Sequence, residues 1–90
     1  MDLNEIRQQI DSVDKDIVSL LEERMKLVTQ VSAYKQSTGK AIYDPEREKT
    51  LLSKVAESVV NPEYQEPIVA SFADIMKHSR TYQAGKLKGK

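Results

Sequence analysis

Ninety residues carry 14 lysines and arginines against 14 aspartates and glutamates, with one histidine and no cysteine. That length makes one domain with a thin core, the balanced charge gives no pull towards nucleic acid or a membrane surface, and the absent cysteines exclude disulfides and thiolate chemistry. A lone histidine leaves no zinc or haem spacing, no apolar run approaches the roughly 20 residues that span a bilayer, and Met1-Asp2-Leu3-Asn4-Glu5 lacks the cationic and apolar regions of a signal peptide.

The expectation is a cytoplasmic, all-α chain of three helices, one long and two short. From Asp2 to Ser37 there is neither glycine nor proline. Two columns in that stretch repeat at a seven-residue step: Leu3, Ile10, Ile17, Arg24, Val31 and Ile6, Val13, Leu20, Leu27, Tyr34. This heptad seam predicts one helix of about 35 residues, near 50 Å long. Gly39 ends it, as glycine does at many helix C-termini. After a loop from Gly39 to Tyr43, Asp44-Pro45 reads as an N-cap followed by proline at the first helical position. Leu51, Leu52, Val55, Ala56 and Val59 give this second helix, Pro45 to Val59, an apolar face, and Asn61-Pro62 stops it. Pro67 can open a helix but not sit deep inside one. The third helix is therefore predicted from near Glu66 to about Ala84, with Ile68, Phe72, Ile75 and Met76 inward. Residues 85–90 (Gly-Lys-Leu-Lys-Gly-Lys) read as a basic flexible tail beyond a domain of residues 1–84. Two short helices leave much of a seam of ~50 Å uncovered, so a second copy of the chain is the simplest cover. A homodimer is expected.

Sequence rules tend to fail at functional sites, which directs attention to polar residues on core faces. Arg24 holds a seam position that should be apolar. A flanking column, Arg7, Asp14, Leu21, Val28, Lys35, is apolar in its middle and cationic near its ends. Ser79 and Gln83 extend the inward stripe of the third helix, and Arg47 and Glu48 stand one turn before Leu51 and Leu52. Each has a plainer explanation. Arg7 and Lys35 can snorkel to solvent, and Arg24 can pair with an acidic residue as a register device. Ser79 and Gln83 can be a solvated helix end, and Arg47 and Glu48 an ordinary first turn. His78 is read as a surface histidine, and the run Lys86–Lys90 as a tail rather than a nucleic-acid arm. Together, however, three inward cations with serine, glutamine and glutamate describe a wet pocket suited to a small dianion. Arg24 and Lys35 lie ~16 Å and three turns apart on one face, so their long side chains can bracket a small molecule. Arg7 lies ~25 Å from Arg24 and about 100° round the helix. It cannot reach that pocket within its own chain, but in an antiparallel dimer it reaches the partner's.

The motifs Ile6-Arg7-x-x-Ile10-Asp11-x-x-Asp14, Leu21-Glu22-Glu23-Arg24, Ala33-Tyr34-Lys35, Asp44-Pro45-Glu46-Arg47-Glu48 and Ser79-x-x-x-Gln83 occur in order. Singly they are weak; their order and spacing together are specific. Over about residues 3 to 83 the chain resembles the all-helical (AroQ-class) chorismate mutases. The resemblance implies an intertwined helical homodimer that rearranges chorismate to prephenate, at the branch towards phenylalanine and tyrosine. It implies that Arg24 and the partner's Arg7 bind the two substrate carboxylates. Lys35 and Gln83 would hydrogen-bond the ether oxygen of the breaking C–O bond, so that Arg24, Lys35 and Gln83 carry the catalysis. Glu48 and the backbone at Asp44 would hold the ring hydroxyl, Arg47 and Ser79 complete the polar wall, and Val31, Leu51 and Met76 line the rest. This one-substrate pericyclic reaction moves no proton, which explains why no nucleophile, metal or cofactor is called for. What it needs is orientation of the reacting arm and preorganised donors at the ether oxygen. An isochorismate–pyruvate lyase shares this fold and pocket, but lacks equivalents of Asp44 and Glu48, so those two residues favour the mutase. A regulatory module of the same fold, docked or fused to an early aromatic-pathway enzyme, is the alternative of another class.

Overall fold

The computed structural model describes residues 2–89, and the side chains of residues 2–86. It contains helix α1 (Leu3–Thr38), helix α2 (Pro45–Ser58), a 3-10 turn (Pro62–Tyr64) and helix α3 (Gln65–Gly89), with no strand among the described residues.

Helix α1 runs 36 residues without a break, because nothing in it carries the helix penalty of glycine or proline. The Asp2 carboxylate accepts from the Glu5 N–H at 2.9 Å and caps its start. At the other end Gly39 takes φ 75°, the left-handed conformation that glycine adopts without a Cβ clash. The N–H groups of Gly39 and Lys40 both turn back to the Lys35 carbonyl, satisfying the end of the helix.

Helix α2 starts as its sequence predicts, with the Asp44 carboxylate accepting from the Arg47 N–H at 3.1 Å and Pro45 at the first position. It ends at Ser58, where Val59 turns extended. The Asn61 side chain then accepts from the Glu63 N–H at 3.0 Å and opens the 3-10 turn. This turn leads straight into α3 at Gln65, which places Pro67 in the first helical turn, where a missing N–H leaves no carbonyl unpaired. At its far end α3 differs from expectation. The helix continues past Ala84 to Gly89, so the segment read as a flexible tail is helical up to that residue, and Lys90 lies outside the described residues. The physical reason is that Gly85 weakens a helix by only about 1 kcal/mol relative to alanine, and no proline follows to stop it.

Helix α3 packs against α1, α2 and the 3-10 turn, whereas among the described residues no Cα of α1 comes within 8 Å of one in α2. The molecule measures 53 × 26 × 15 Å with a radius of gyration of 16.2 Å, against about 12 Å for a compact chain of this length. The excess is the N-terminal half of α1. Residues 2–20 are exposed throughout, seam positions included: Leu3 is 58% and Leu20 62% exposed. Met76 is the one buried apolar side chain among the described residues, while Ser32, Ser79 and Gln83 are buried and polar. No helix among those residues is long and apolar enough to cross a membrane.

Candidate active site

Three helix segments converge at the C-terminal end of α1. Arg24, Val28, Val31 and Lys35 follow steps of four, three and four residues, which keeps them on one face of α1. The first turns of α2 bring Asp44, Arg47, Glu48 and Leu51, and the second half of α3 brings Met76, Ser79, Arg80 and Gln83. With Leu27 and Ile42 these residues enclose a cavity of about 300 Å³, the lower end of the range for small-molecule pockets. Seven of the eight polar residues singled out in the sequence line it. The eighth, Arg7, is exposed on the N-terminal half of α1 and does not. Val31, Leu51 and Met76 form apolar wall, as the resemblance implies.

The polar groups are tied to one another. Arg24 Nη1 donates to Ser79 Oγ at 2.7 Å, and Ser79 Oγ donates to the Ile75 carbonyl at 2.9 Å. The single hydroxyl proton is thereby committed to the helix, leaving a lone pair to face the guanidinium. Lys35 Nζ donates to the Ile42 carbonyl at 2.7 Å, fastening the loop between α1 and α2 to α1. The Asp44 carboxylate is occupied as the α2 cap. Glu48 is ion-paired with Arg80, whose guanidinium lies 4.9 Å from the centre of the Tyr43 ring. Gln83 is 7% exposed, and its Oε1 is buried without a hydrogen-bond partner.

Four cations (Arg24, Lys35, Arg47, Arg80) and two acids (Asp44, Glu48) line the cavity, leaving a formal excess of two positive charges in one chain. Such a wall suits a small dianion, and its amide and ammonium donors suit an oxygen that gains charge. Among the described residues no group of three His, Cys, Asp or Glu side chains gathers as a metal site needs. Sequence reading passed over Arg80 and Ile42. Arg80 was within reach, because it stands one helical turn (four residues) after the inward-facing Met76. Ile42 enters through its backbone carbonyl, for which a side-chain pattern carries no signal.

Among the described residues an all-helical fold thus presents a polar, net-cationic cavity whose chemistry suits a small anion. Residues 6–84 match the family model described as chorismate mutase type II. The chain is 38% identical over 89 residues to the T-protein of Enterobacter agglomerans, covering 94% of this chain and 23% of that protein. It is 33% identical over 82 residues to the chorismate mutase of Methanocaldococcus jannaschii, covering 90% of this chain and 83% of that one. With the bifunctional chorismate mutase/prephenate dehydratase of Buchnera aphidicola subsp. Schizaphis graminum it shares 44% identity over 54 residues, 60% of this chain and 14% of that one. The chain thus spans less than a quarter of the T-protein and most of the Methanocaldococcus relative. It belongs to the chorismate mutase type II family.

Proposed function

We propose that this chain is a chorismate mutase, rearranging chorismate to prephenate without a cofactor, in a homodimer whose sites are completed across the interface. The observation that carries the reading is the convergence of Arg24, Lys35, Asp44, Arg47, Glu48, Ser79 and Gln83 on one cavity of about 300 Å³, in a chain of this family. Arg24 binds one substrate carboxylate and Arg7 of the second chain binds the other. Lys35 and Gln83 donate to the ether oxygen, where negative charge grows as the C–O bond breaks. Their fixed positions make this electrostatic stabilisation preorganised. Glu48 and the Asp44 backbone take the ring hydroxyl, and Arg47 completes the polar wall. Holding both carboxylates folds the reacting arm over the ring, which supplies the orientation that a one-substrate rearrangement requires.

Two features support the dimer. Residues 2–20 of α1 are exposed along the whole apolar seam, and Arg7 stands on that half. Between α2 and the start of α3 lies an open apolar groove of about 730 Å³, lined by Leu51, Val55, Val59, Tyr64, Ile68 and Phe72 among others. Seam and groove are complementary in chemistry, and burying one in the other is worth roughly 25 cal/mol per Å² of apolar surface. The catalytic domain is residues 1–84 with 85–90 as a basic extension, supported by a family match that ends at residue 84. Relatives that carry a second enzyme in the same chain support association with an aromatic-pathway enzyme. Operation in the cytoplasm belongs to the same reading, supported by the cysteine-free sequence.

The direct test is to incubate the purified chain with chorismate and follow its ultraviolet absorbance. First-order loss with stoichiometric prephenate is expected. Release of pyruvate from isochorismate, with chorismate left unconverted, would assign the lyase, and a folded dimer inert towards both would leave a binding module.

A further inference from the structure

Arg80 lines the cavity yet has no part in the scheme above. We infer that Arg80 is a positioning residue for recognition of the substrate's ring hydroxyl: it holds the Glu48 carboxylate against the cavity wall by one oxygen, leaving the other to accept from that hydroxyl. The inference rests on the mutase reading and adds to it a residue that touches no reacting atom.

Three observations carry it. First, the chain has 14 basic and 14 acidic residues, yet among the described residues the one side-chain ion pair within 4.0 Å joins Arg80 to Glu48, at the cavity. Charges scattered on a solvated surface seldom hold one geometry; this pair is partly sheltered, with 32% and 21% of the two side chains exposed. Second, Nη1 of Arg80 bonds Oε1 of Glu48 only, so a two-oxygen carboxylate keeps acceptor capacity on Oε2. Third, the guanidinium is itself held in place, because its central carbon lies over the Tyr43 ring, 4.9 Å from the centre. Tyr43 directly precedes the Asp44 cap, and the residue before it is held by Lys35 through the Ile42 carbonyl. The segment from Ile42 to Glu48 is thus fastened from α1 by one cation and from α3 by another. Left alone, a glutamate in the first turn of a 14-residue helix samples several rotamers. Arg80 removes that freedom before the substrate arrives.

A simple staple between α2 and α3 would show the same ion pair, and specificity separates the two roles. The experiment compares kcat/KM for chorismate with kcat/KM for the analogue whose ring hydroxyl is replaced by hydrogen. Arg80→Met keeps an unbranched stem over Tyr43 and removes the charge. It should raise the KM for chorismate about fivefold with kcat within about twofold, since the hydroxyl contact is held in ground and transition states alike. The ratio of the two kcat/KM values should fall by the same factor, and Arg80→Met should lower it no further in a Glu48→Gln background. Arg80→Lys keeps the charge but loses the planar fork and stack, and should give an intermediate ratio. That variant keeps the inference testable should Arg80→Met fail to fold, as judged by helical circular dichroism. A wild-type ratio in whichever variant is folded overturns the role of Arg80 and leaves the mutase reading intact. If the wild-type chain does not convert chorismate, the mutase reading falls first and this inference with it.

Discussion

Arg24 on α1 and Ser79 on α3, 55 residues apart in sequence, meet at 2.7 Å, with the serine hydroxyl turned so that its oxygen receives the guanidinium. An arginine at a core-facing position is costly without a partner; a neutral hydroxyl orients it without cancelling its charge. The remaining donors of the fork stay available for a carboxylate. Ser79→Ala should therefore lower kcat/KM about tenfold, the range of one hydrogen bond to a charged group. Arg24→Ala should cost a hundredfold or more, because it removes a charged contact and the orientation it supplies. The double variant should be little worse than Arg24→Ala alone, since the serine acts through the arginine. Steady-state kinetics on the three proteins check this, and additive losses would separate the two residues.

The amide of Gln83 has no proton to lose at ordinary pH. Gln83→Glu replaces that permanent donor with one present only in the protonated acid. Ionised, it sets negative charge against an oxygen that is itself gaining negative charge. The variant should be poor at neutral pH and recover as pH falls through the new carboxyl's pKa. That pKa is about 4.3 in water; burial in a site only 7% exposed raises it, and the Lys35 ammonium on the same cavity lowers it. The measurement is kcat/KM against pH for both proteins, with folding checked at each point. Parallel profiles would remove Gln83 from the ether oxygen.

Gly39 tests the local backbone. Its φ of 75° lies in the left-handed region, and an added Cβ would meet nothing within 4 Å. Gly39→Ala should therefore cost only backbone strain, about 1 kcal/mol, and lower Tm by a few degrees. Gly39→Asn should recover part of that loss, because asparagine tolerates this conformation. An unchanged melt for Gly39→Ala would place the end of α1 elsewhere.

Most of the fold was legible because its signals are local. The Asp2 and Asp44 caps, the left-handed Gly39 and the unbroken seam each act within a few residues, and α1 and α2 fall within one residue of their predicted ends. The end of α3 was not legible: glycine only weakens a helix, and Gly85 does not stop this one. At the site, Arg24, Lys35, Ser79 and Gln83 betrayed themselves as polar groups on apolar stripes. Arg80, four residues after the inward-facing Met76, was within reach of the same periodicity; its contacts with Glu48 on another helix and Tyr43 in a loop were not, because no periodicity encodes a contact between elements. Ser32 is buried with an unpaired hydroxyl, and nothing in the structure explains it.

The exposed N-terminal half of α1 predicts that folding and association are one process. Apparent Tm should rise with protein concentration, as it does when a partner binds only the folded chain. Sedimentation equilibrium should find a folded dimer at micromolar concentration. A concentration-independent Tm with a folded monomer would mean that the seam is solvated as it stands.

Subunit complementation tests the composite site most directly. Arg7→Ala homodimers lack the trans arginine at both sites, and Lys35→Ala homodimers lack the ammonium at both, so each parent should be close to inactive. In a heterodimer, one site takes Arg7 from the Lys35→Ala chain and all else from the Arg7→Ala chain. After verified exchange, an equimolar mixture should convert chorismate at about a quarter of the wild-type rate per chain, one site in two within half of the dimers. A mixture that stays as inactive as its parents would contradict a cavity completed by the partner's Arg7.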